Sequence, residues 1–252
     1  MVGPYHPSPI TYHLSSKKME DRYNQMLEAF ALAKKYLKQQ RELGLEEVKL
    51  PSNFKIELKK DTGKNPLKEF YHKIKNCQKC HLHKSRTNFV FGVGDDKAGI
   101  MFIGEAPGRD EDLQGEPFVG RAGQLLNKIL GAINFQREEV YIANILKCRP
   151  PENRDPLPEE IELCEPHLIE QIKLIQPKLI CALGRISAQA LLKTNLPLNR
   201  LRGRFHDYQG IKFLVTYHPA ALLRYPQFKK DTWEDVKMLR AEYDEMKKVD
   251  SR

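Results

Sequence analysis

Four cysteines stand at spacings that suit a metal centre. Cys77 and Cys80 form a CxxC pair, and Cys148 and Cys164 follow further along the chain. Two residues between ligands allow both sulfurs to reach one centre, and four converging thiolates fit either tetrahedral zinc or an iron–sulfur cluster. The spacing leaves both metals open, with unligated thiols as the remaining alternative. The histidines that flank these cysteines are alternative zinc ligands: His81, His83 and His167.

A loop rich in glycine follows the apolar run IMFI and reads GEAPGRDEDLQGEPFVGRAG over residues 104–123. It lacks the GxxxxGK[ST] pattern of a phosphate-binding loop, and Pro107 removes a backbone N–H that the GxGxxG pattern would need. Its five acidic residues would also repel phosphate. The loop therefore favours a neutral, planar ligand, on which Phe118 could stack. The alternative is that Phe118 anchors the core.

Short apolar runs alternate with helical stretches in the rest of the chain. This pattern predicts a three-layer α/β/α fold with a central four-stranded parallel sheet. Cys181 lies inside one of the runs and is predicted to be a buried strand residue. The predicted strands cover residues 100–103, 140–146, 179–183 and 213–217. The predicted helices cover residues 123–133, 158–175, 186–192 and about 232–246.

The carboxyl ends of the four predicted strands carry polar groups. In a parallel sheet these ends share one edge, where ligands bind. Asn144 stands near the end of the second strand and His218 directly after the fourth. The GEAPG turn follows the first strand, and Gly184 with Arg185 follows the third. The sequence therefore predicts one site built from a turn, an amide, a glycine and an imidazole.

Composition and charge indicate a globular protein with a polyanionic partner. The 252 residues are 40% hydrophobic and 30% charged, with a formal net charge of +9. Such an excess favours nucleic acid, the alternative being a basic surface without a partner. The absence of a long apolar run or signal-type N-terminus predicts a cytoplasmic protein with reduced thiols and no membrane contact. Residues 1–18 are predicted to be disordered or an arm, residues 19–64 an N-terminal helical extension with a linker, and residues 65–252 the main domain.

The chain resembles the family 4 uracil-DNA glycosylases, the iron–sulfur branch of the uracil glycosylase superfamily. The resemblance covers roughly residues 65–248 and rests on four segments in order: CQKCHLHKSRTNFVFGVGD, GEAPGRDEDLQGEPFVGRAGQLL, VYIANILKCRPPENRDP and VTYHPAALLR. It implies a parallel sheet with helices on both faces. It also implies a [4Fe–4S] cluster, structural in role, held by Cys77, Cys80, Cys148 and Cys164.

The resemblance further implies the chemistry of a glycosylase that hydrolyses the N-glycosidic bond of deoxyuridine. The uracil pocket would contain Glu105, Ala106, Phe118, Asn144 and His218. Of these, His218 would hold uracil O2. The best-known uracil glycosylases have a water-orienting carboxylate one residue further along the turn, where Ala106 stands here, as is usual in family 4. Glu105 is therefore expected to orient water, the alternative being that backbone groups position it. Glu111 would exclude thymine at the C5 position. The basic excess, in turn, leads us to expect phosphate contacts from Arg202, Arg204 and Arg224, the alternative being that they are solvated surface residues.

Other functions are compatible with parts of this pattern. A non-catalytic iron–sulfur or zinc module that binds nucleic acid would keep the fold without needing the uracil-sized pocket. The branch that becomes trapped covalently on DNA inserts a histidine loop, and the segment ILKCRPPENRDPLPEEIEL contains no histidine. Family 5 enzymes lack the glutamate of the GEAPG turn. The prediction is therefore a monomeric enzyme that acts on uracil-containing DNA and starts base excision repair.

Overall fold

The structure, a computed structural model, describes the backbone of residues 65–250 and the side chains of residues 65–248. These residues belong to one compact unit. The arm, helix and linker predicted before residue 65 lie outside the described residues. No helix in the described range is long and apolar enough to cross a bilayer.

The described residues form six strands and eight α-helices. The strands are β1 (Val93–Gly94), β2 (Ile100–Gly104), β3 (Tyr141–Asn144), β4 (Leu179–Leu183), β5 (Phe205–Tyr208) and β6 (Ile211–Thr216). The helices are α1 (Pro66–Ile74), α2 (Arg109–Gln114), α3 (Arg121–Ala132), α4 (Pro158–Ile175), α5 (Arg185–Leu192), α6 (Leu198–Leu201), α7 (Pro219–Arg224) and α8 (Phe228–Asp250). Three short 3₁₀ segments accompany them: His81–Lys84, Arg137–Glu139 and Pro151–Asn153.

The strands form one sheet in the order β1-β3-β2-β4-β6-β5. The central four, β3, β2, β4 and β6, are parallel, as the apolar runs predict. The predicted four parallel strands form the centre of a wider, mixed sheet, because β1 and β5 extend it antiparallel at both edges. β1 has only two residues, too few for a periodic pattern. β5 joins β6 through Gln209 and Gly210, both left-handed as a two-residue type I′ hairpin requires.

Each central strand is buried on both faces, so that the sheet separates two cores. In β2, Met101 and Ile103 face one core while Ile100 and Phe102 face the other. Helices α1, α4 and α5 supply apolar side chains to the first core, and α3 and α8 supply them to the second. The three-layer α/β/α architecture predicted from the sequence is therefore confirmed.

Helix boundaries agree with the sequence pattern where capping residues mark them. α4 begins at Pro158, beside a capping interaction in which Glu160 accepts a hydrogen bond from the Leu157 N–H. α8 begins one turn before the predicted start at Thr232. The Thr232 hydroxyl donates to the Phe228 carbonyl one turn back, so this residue lies within the helix and does not cap it.

Candidate active site

The structure brings the predicted residues of three strand ends to one cavity of about 450 Å³. Glu105 follows β2, Asn144 ends β3, and His218 lies just beyond β6. All three line the cavity. The third predicted strand end contributes indirectly: Gly184 has φ +98°, and a Cβ at this position would lie 3.0 Å from the His218 Cβ. A glycine there allows the imidazole to approach β4 closely.

Asn144 presents an unpaired acceptor at the cavity. Its side chain is 2% exposed, and its Oδ1 is buried without a hydrogen-bond partner among the described residues. A buried carbonyl oxygen left unpaired costs about 1–3 kcal/mol. Gly104 permits this placement, because a Cβ there would collide with Asn144 Oδ1 and would lie 2.6 Å from Phe118 Cζ. The amide is therefore arranged to receive a donor from a ligand.

Phe118 forms an aromatic wall of the same cavity. It is 5% exposed and packs in the second core, in agreement with the core-anchor interpretation, and it also lines the cavity. Its backbone is left-handed, with φ +54°. The ring lies 5.4 Å from the His218 ring, centroid to centroid, with 32° between the planes. A flat ligand in the cavity would therefore meet an aromatic ring and an imidazole together.

His218 is held as a neutral imidazole of one tautomer. Its Nδ1 accepts a hydrogen bond of 3.1 Å from the Ala220 N–H, as the N-cap of α7. Burial, helped by the positive charge of Arg224, lowers the pKa of His218 to about 4. Since Nδ1 accepts, the proton of the neutral ring is on Nε2, which is then free to donate.

Glu105 is a half-buried carboxyl with a strongly shifted pKa. Burial raises the pKa of Glu105 to about 7, and the negative charge of Asp155 acts in the same direction. Arg185 and Arg224 oppose the shift. The group therefore changes its charge near neutral pH. A carboxyl of this kind can hold or accept a proton during a reaction. Ala106, the next residue of the turn, also lines the cavity and contributes no charge.

Glu111 lies at the cavity wall and holds the surrounding loop together. Its Oε1 accepts hydrogen bonds of 2.9 Å from the Val119 and Gly120 N–H groups, and its Oε2 accepts one of 3.2 Å from Gly108. Both oxygens thus accept from backbone N–H groups: that of Gly108, earlier in the loop, and those of Val119 and Gly120, directly after Phe118. The side chain forms a fixed wall of the cavity.

The three arginines predicted to contact phosphate differ in their surroundings. Arg224 lines the cavity and is exposed, and Arg204 is also exposed. Arg202 instead forms two hydrogen bonds, of 3.0 and 2.9 Å, to the buried Asp235 carboxylate. Its guanidinium lies 5.5 Å from the centre of the Tyr217 ring. These contacts favour a structural role for Arg202 in place of the predicted phosphate contact.

A second groove of about 380 Å³ adjoins the cavity and shares several lining residues with it. Arg109 and Arg121, the first residues of α2 and α3, line this groove together with Arg224. All three are exposed. The sequence analysis missed Arg109 and Arg121, although their position in the glycine-rich loop placed them beside the predicted ligand.

The four cysteines predicted as ligands lie close together. Arg86 Nη1 donates to the Cys148 Sγ at 3.1 Å and to the Cys77 carbonyl at 2.8 Å. The pKa of Cys164 is raised to about 12, chiefly by burial; the nearby Cys148 and Cys80 act in the same direction, and Lys147 opposes them. Burial also raises the pKa of Cys148, and Cys80 and Cys77 likewise act to raise it. The Lys147 N–H donates to the Cys164 Sγ at 3.3 Å. Cys148 and Cys164 are buried, and Cys77 and Cys80 are half-buried. Sulfurs that lie together and receive N–H groups are suited to hold an iron–sulfur cluster.

The flanking histidines have other partners. His81 Nε2 lies 2.9 Å from Glu160, and His83 Nδ1 lies 2.7 Å from the Cys80 carbonyl. His167 Nε2 lies 3.2 Å from the Cys77 Sγ. Within residues 65–248, no three histidine, cysteine or acidic side chains are arranged as ligands of a single metal ion. Cys181 is fully buried in β4, as predicted.

Comparisons with known proteins add a family and several relatives. The model of the uracil DNA glycosylase superfamily matches residues 91–237. The chain is 47% identical over 183 residues to a type-4 uracil-DNA glycosylase of Archaeoglobus fulgidus, a match that covers 69% of this chain and 91% of the relative. It is 46% identical over 183 residues to a type-4 uracil-DNA glycosylase of Pyrobaculum aerophilum, a match that covers 68% of this chain and 92% of the relative. It is 47% identical over 176 residues to a type-4 uracil-DNA glycosylase of Saccharolobus solfataricus, a match that covers 66% of this chain and 82% of the relative.

Proposed function

This chain belongs to the type-4 branch of the uracil DNA glycosylase superfamily, and we propose that it hydrolyses the N-glycosidic bond of deoxyuridine in DNA. Release of uracil leaves an abasic site in the DNA, at which base excision repair begins. The observation that carries this proposal is the unpaired Asn144 Oδ1 beside Phe118 in the cavity. An acceptor fixed next to an aromatic ring fits the edge of a planar base that carries an N–H group.

Asn144 would read the uracil edge. Its Oδ1 accepts from uracil N3–H while its amide nitrogen donates to O4. Cytosine presents an acceptor at N3 and a donor at C4, so both contacts would be mismatched, at about 1–3 kcal/mol each. Phe118 would stack on the base, an interaction of about 1–3 kcal/mol in proteins that bind single strands.

His218 and Glu105 would act on the reacting atoms. As the C1′–N1 bond breaks, its electron pair stays with uracil, and negative charge gathers on O2. His218 donates its Nε2–H to O2, because its Nδ1 is already engaged by Ala220. Glu105 orients water for attack on C1′, where the water oxygen forms the new bond and releases a proton. The released uracil takes up a proton in turn.

Glu111 would exclude thymine. Three backbone N–H groups hold its carboxylate in place at the cavity wall. A wall fixed in this way does not retreat from the C5 methyl group of thymine, whereas the C5 hydrogen of uracil needs less room.

The groove of Arg109, Arg121 and Arg224 would hold the DNA backbone beside the extruded nucleotide. Its three exposed guanidinium groups offer bidentate contacts to phosphate. Arg204 remains a further candidate on its exposed loop. Arg202 would instead support the fold through its pairing with Asp235.

Cys77, Cys80, Cys148 and Cys164 would hold a [4Fe–4S] cluster. When bound, the cluster would supply cross-links between the CxxC segment, the residues after β3, and α4. The thiols that it needs persist in a reducing compartment, which supports a cytoplasmic site of action. A monomer remains the predicted active form.

The direct test uses a labelled oligonucleotide with a single uracil, beside matched thymine and cytosine controls. After treatment with the protein and then alkali, we expect strand cleavage at uracil alone. Asn144→Ala, as a matched variant, should cleave at least about tenfold more slowly, since two hydrogen bonds to the base are lost. If an iron-loaded protein binds this DNA without cutting it, the proposed function is wrong and the non-catalytic nucleic-acid-binding module takes its place.

A further inference from the structure

Phe118 has a backbone conformation that its own side chain disfavours. Its φ of +54° lies in the left-handed region, which aromatic residues seldom adopt. Such conformations persist where the surroundings hold them. The ring position therefore depends on contacts made to the Phe118 backbone by other parts of the chain.

Arg137 supplies contacts of this kind from a distant 3₁₀ segment. Its Nη2 donates to the Pro117 carbonyl at 2.5 Å, and its Nη1 donates to the Phe118 carbonyl at 3.2 Å. Nη1 also lies 3.3 Å from the Asn127 Oδ1 on α3. The planar guanidinium spans two successive carbonyls, a geometry that a lysine ammonium does not reproduce.

The same loop is held from its other side by Glu111. That carboxylate accepts from the N–H groups of Val119 and Gly120, directly after Phe118. The Phe118 carbonyl and the two following N–H groups therefore have fixed partners of opposite charge. Arg137 and Glu111 together therefore keep Phe118 in its left-handed conformation, with its ring against the cavity.

The surroundings of Arg137 argue against an independent role in binding DNA. Its charge interacts with those of Glu116, Glu138 and Glu111. These carboxylates offset its attraction for phosphate, and its N–H groups are directed at the loop carbonyls.

We infer that Arg137 is a positioning residue that holds Phe118 in the conformation needed to stack on the extruded uracil. This inference rests on the proposed function, because it gives Phe118 its stacking role. Arg137 acts on the base only through Phe118. Substitution of Arg137 should therefore lower the rate of uracil excision when the Phe118 ring is present and change it little when the ring is absent.

A double-mutant cycle tests this dependence by single-turnover excision of uracil. Arg137→Gln should lower the rate about tenfold, comparable to the loss of one stacking contact. In the Phe118→Leu background the same substitution should lower the rate less than about twofold. Arg137→Lys should retain most of the defect, because lysine keeps the charge and loses the planar fork.

Arg240→Gln is the matched control. Arg240 likewise donates to two successive carbonyls, those of Ile133 and Asn134, at 3.0 Å each, and it pairs with Asp244. Its substitution should lower the melting temperature and leave the excision rate of the folded protein near the wild-type value.

Three results would overturn the inference while the wild-type protein still releases uracil. They are an Arg137→Gln rate equal to wild type, an equal loss in the Phe118→Leu background, and full rescue by Arg137→Lys. Should Arg137→Gln not fold, the Lys variant alone carries the test in both backgrounds. Failure of the wild-type protein to release uracil would instead refute the proposed function, so the two failures are distinguishable.

Discussion

At the level of single residues, the candidate site depends on groups held in unusual states by their surroundings. Asn144 keeps a buried oxygen unpaired, His218 is neutral with a fixed tautomer, and the pKa of Glu105 lies near 7. Each of these states is less favourable in free energy than the hydrogen-bonded or ionised state that the same group would adopt in other surroundings. Such costs are expected where a ligand or a reaction offsets them.

His218→Ala should separate chemistry from binding. The imidazole is expected to stabilise charge on uracil O2, and one preorganised donor of this type contributes about 100- to 1000-fold in rate. We therefore expect a fall of that size in single-turnover excision, with the Kd for uracil-containing DNA changed little. Weakened DNA binding with an unchanged rate would contradict this assignment.

Glu105 predicts a pH dependence near neutrality. Its pKa is raised to about 7, so the carboxylate that orients water is mostly protonated below this pH and ionised above it. The excision rate should therefore rise as pH increases through 7. His218 does not contribute to this step, because its pKa is about 4. In Glu105→Gln the rise should disappear and the rate should be lower above pH 7. If the excision rate of Glu105→Gln still rises with pH, the group that titrates is a different residue.

At the level of secondary-structure elements, close packing decides how the loop 104–123 is shaped. α3 begins at Arg121, at the end of this segment, and Gly123 in its first turn lies against the backbone of Phe118. A Cβ at Gly123 would collide with the Phe118 carbonyl oxygen. This glycine is therefore required by the approach of two backbones, and its φ is ordinary.

Two glycines of α3 provide a matched pair of substitutions. Gly123→Ala should displace Phe118, which lowers both the melting temperature and the excision rate. Gly131→Ala meets nothing within 4 Å. It should leave activity unchanged and stabilise the protein by about 0.5–1 kcal/mol, as expected for alanine in a helix. Thermal unfolding and excision assays on both variants check this, and a Gly123→Ala protein with wild-type activity would refute the packing argument.

At the level of the whole molecule, α4 connects the cysteine cluster to the cavity. Glu160 on α4 is fully buried and pairs with Arg154, which lines the cavity, and with His81, which directly follows Cys80. Cys164 lies one turn further along the same helix. A change at the cysteines is therefore expected to reach the cavity through α4.

Cysteine substitutions should test this connection. Cys148→Ser should abolish bound iron, lower the melting temperature and reduce uracil excision together, because the proposed cluster joins segments that support the cavity rim. Cys181→Ala is the control: this thiol is buried in β4, so its loss should lower stability and leave the iron content intact. Iron analysis, visible absorption and thermal unfolding measure the difference. Full iron content in Cys148→Ser would exclude this residue as a ligand.

The positive charge of the molecule predicts a salt-dependent affinity. If Arg121 neutralises one phosphate, Arg121→Gln should reduce the slope of log K against log salt by about 1. Lys237→Gln serves as the control, because Lys237 lies on α8 and pairs with Glu234. Titrations at several salt concentrations compare the slopes. An unchanged slope for Arg121→Gln would remove this residue from the DNA interface.

The sequence by itself determined the layer architecture and the edge at which the site lies. Four apolar runs separated by helices leave a parallel sheet as the arrangement that buries both faces, and parallel strands bring their carboxyl ends together. Glu105, Asn144 and His218 could be assigned to one site for this reason. The short strand β1 and the hairpin strand β5 escaped prediction, because neither carries a run of apolar residues.

Only the tertiary structure decided how each side chain is held. The pairing of Arg202 with Asp235 joins residues 33 positions apart, and Arg137 reaches Phe118 across 19 positions. Neither contact follows from periodicity, because it depends on how loops fold over the sheet. The unpaired oxygen of Asn144 and the left-handed backbone of Phe118 are likewise set by surrounding atoms. Local patterns predict elements and their ends, whereas contacts between distant segments set charge, tautomer and orientation.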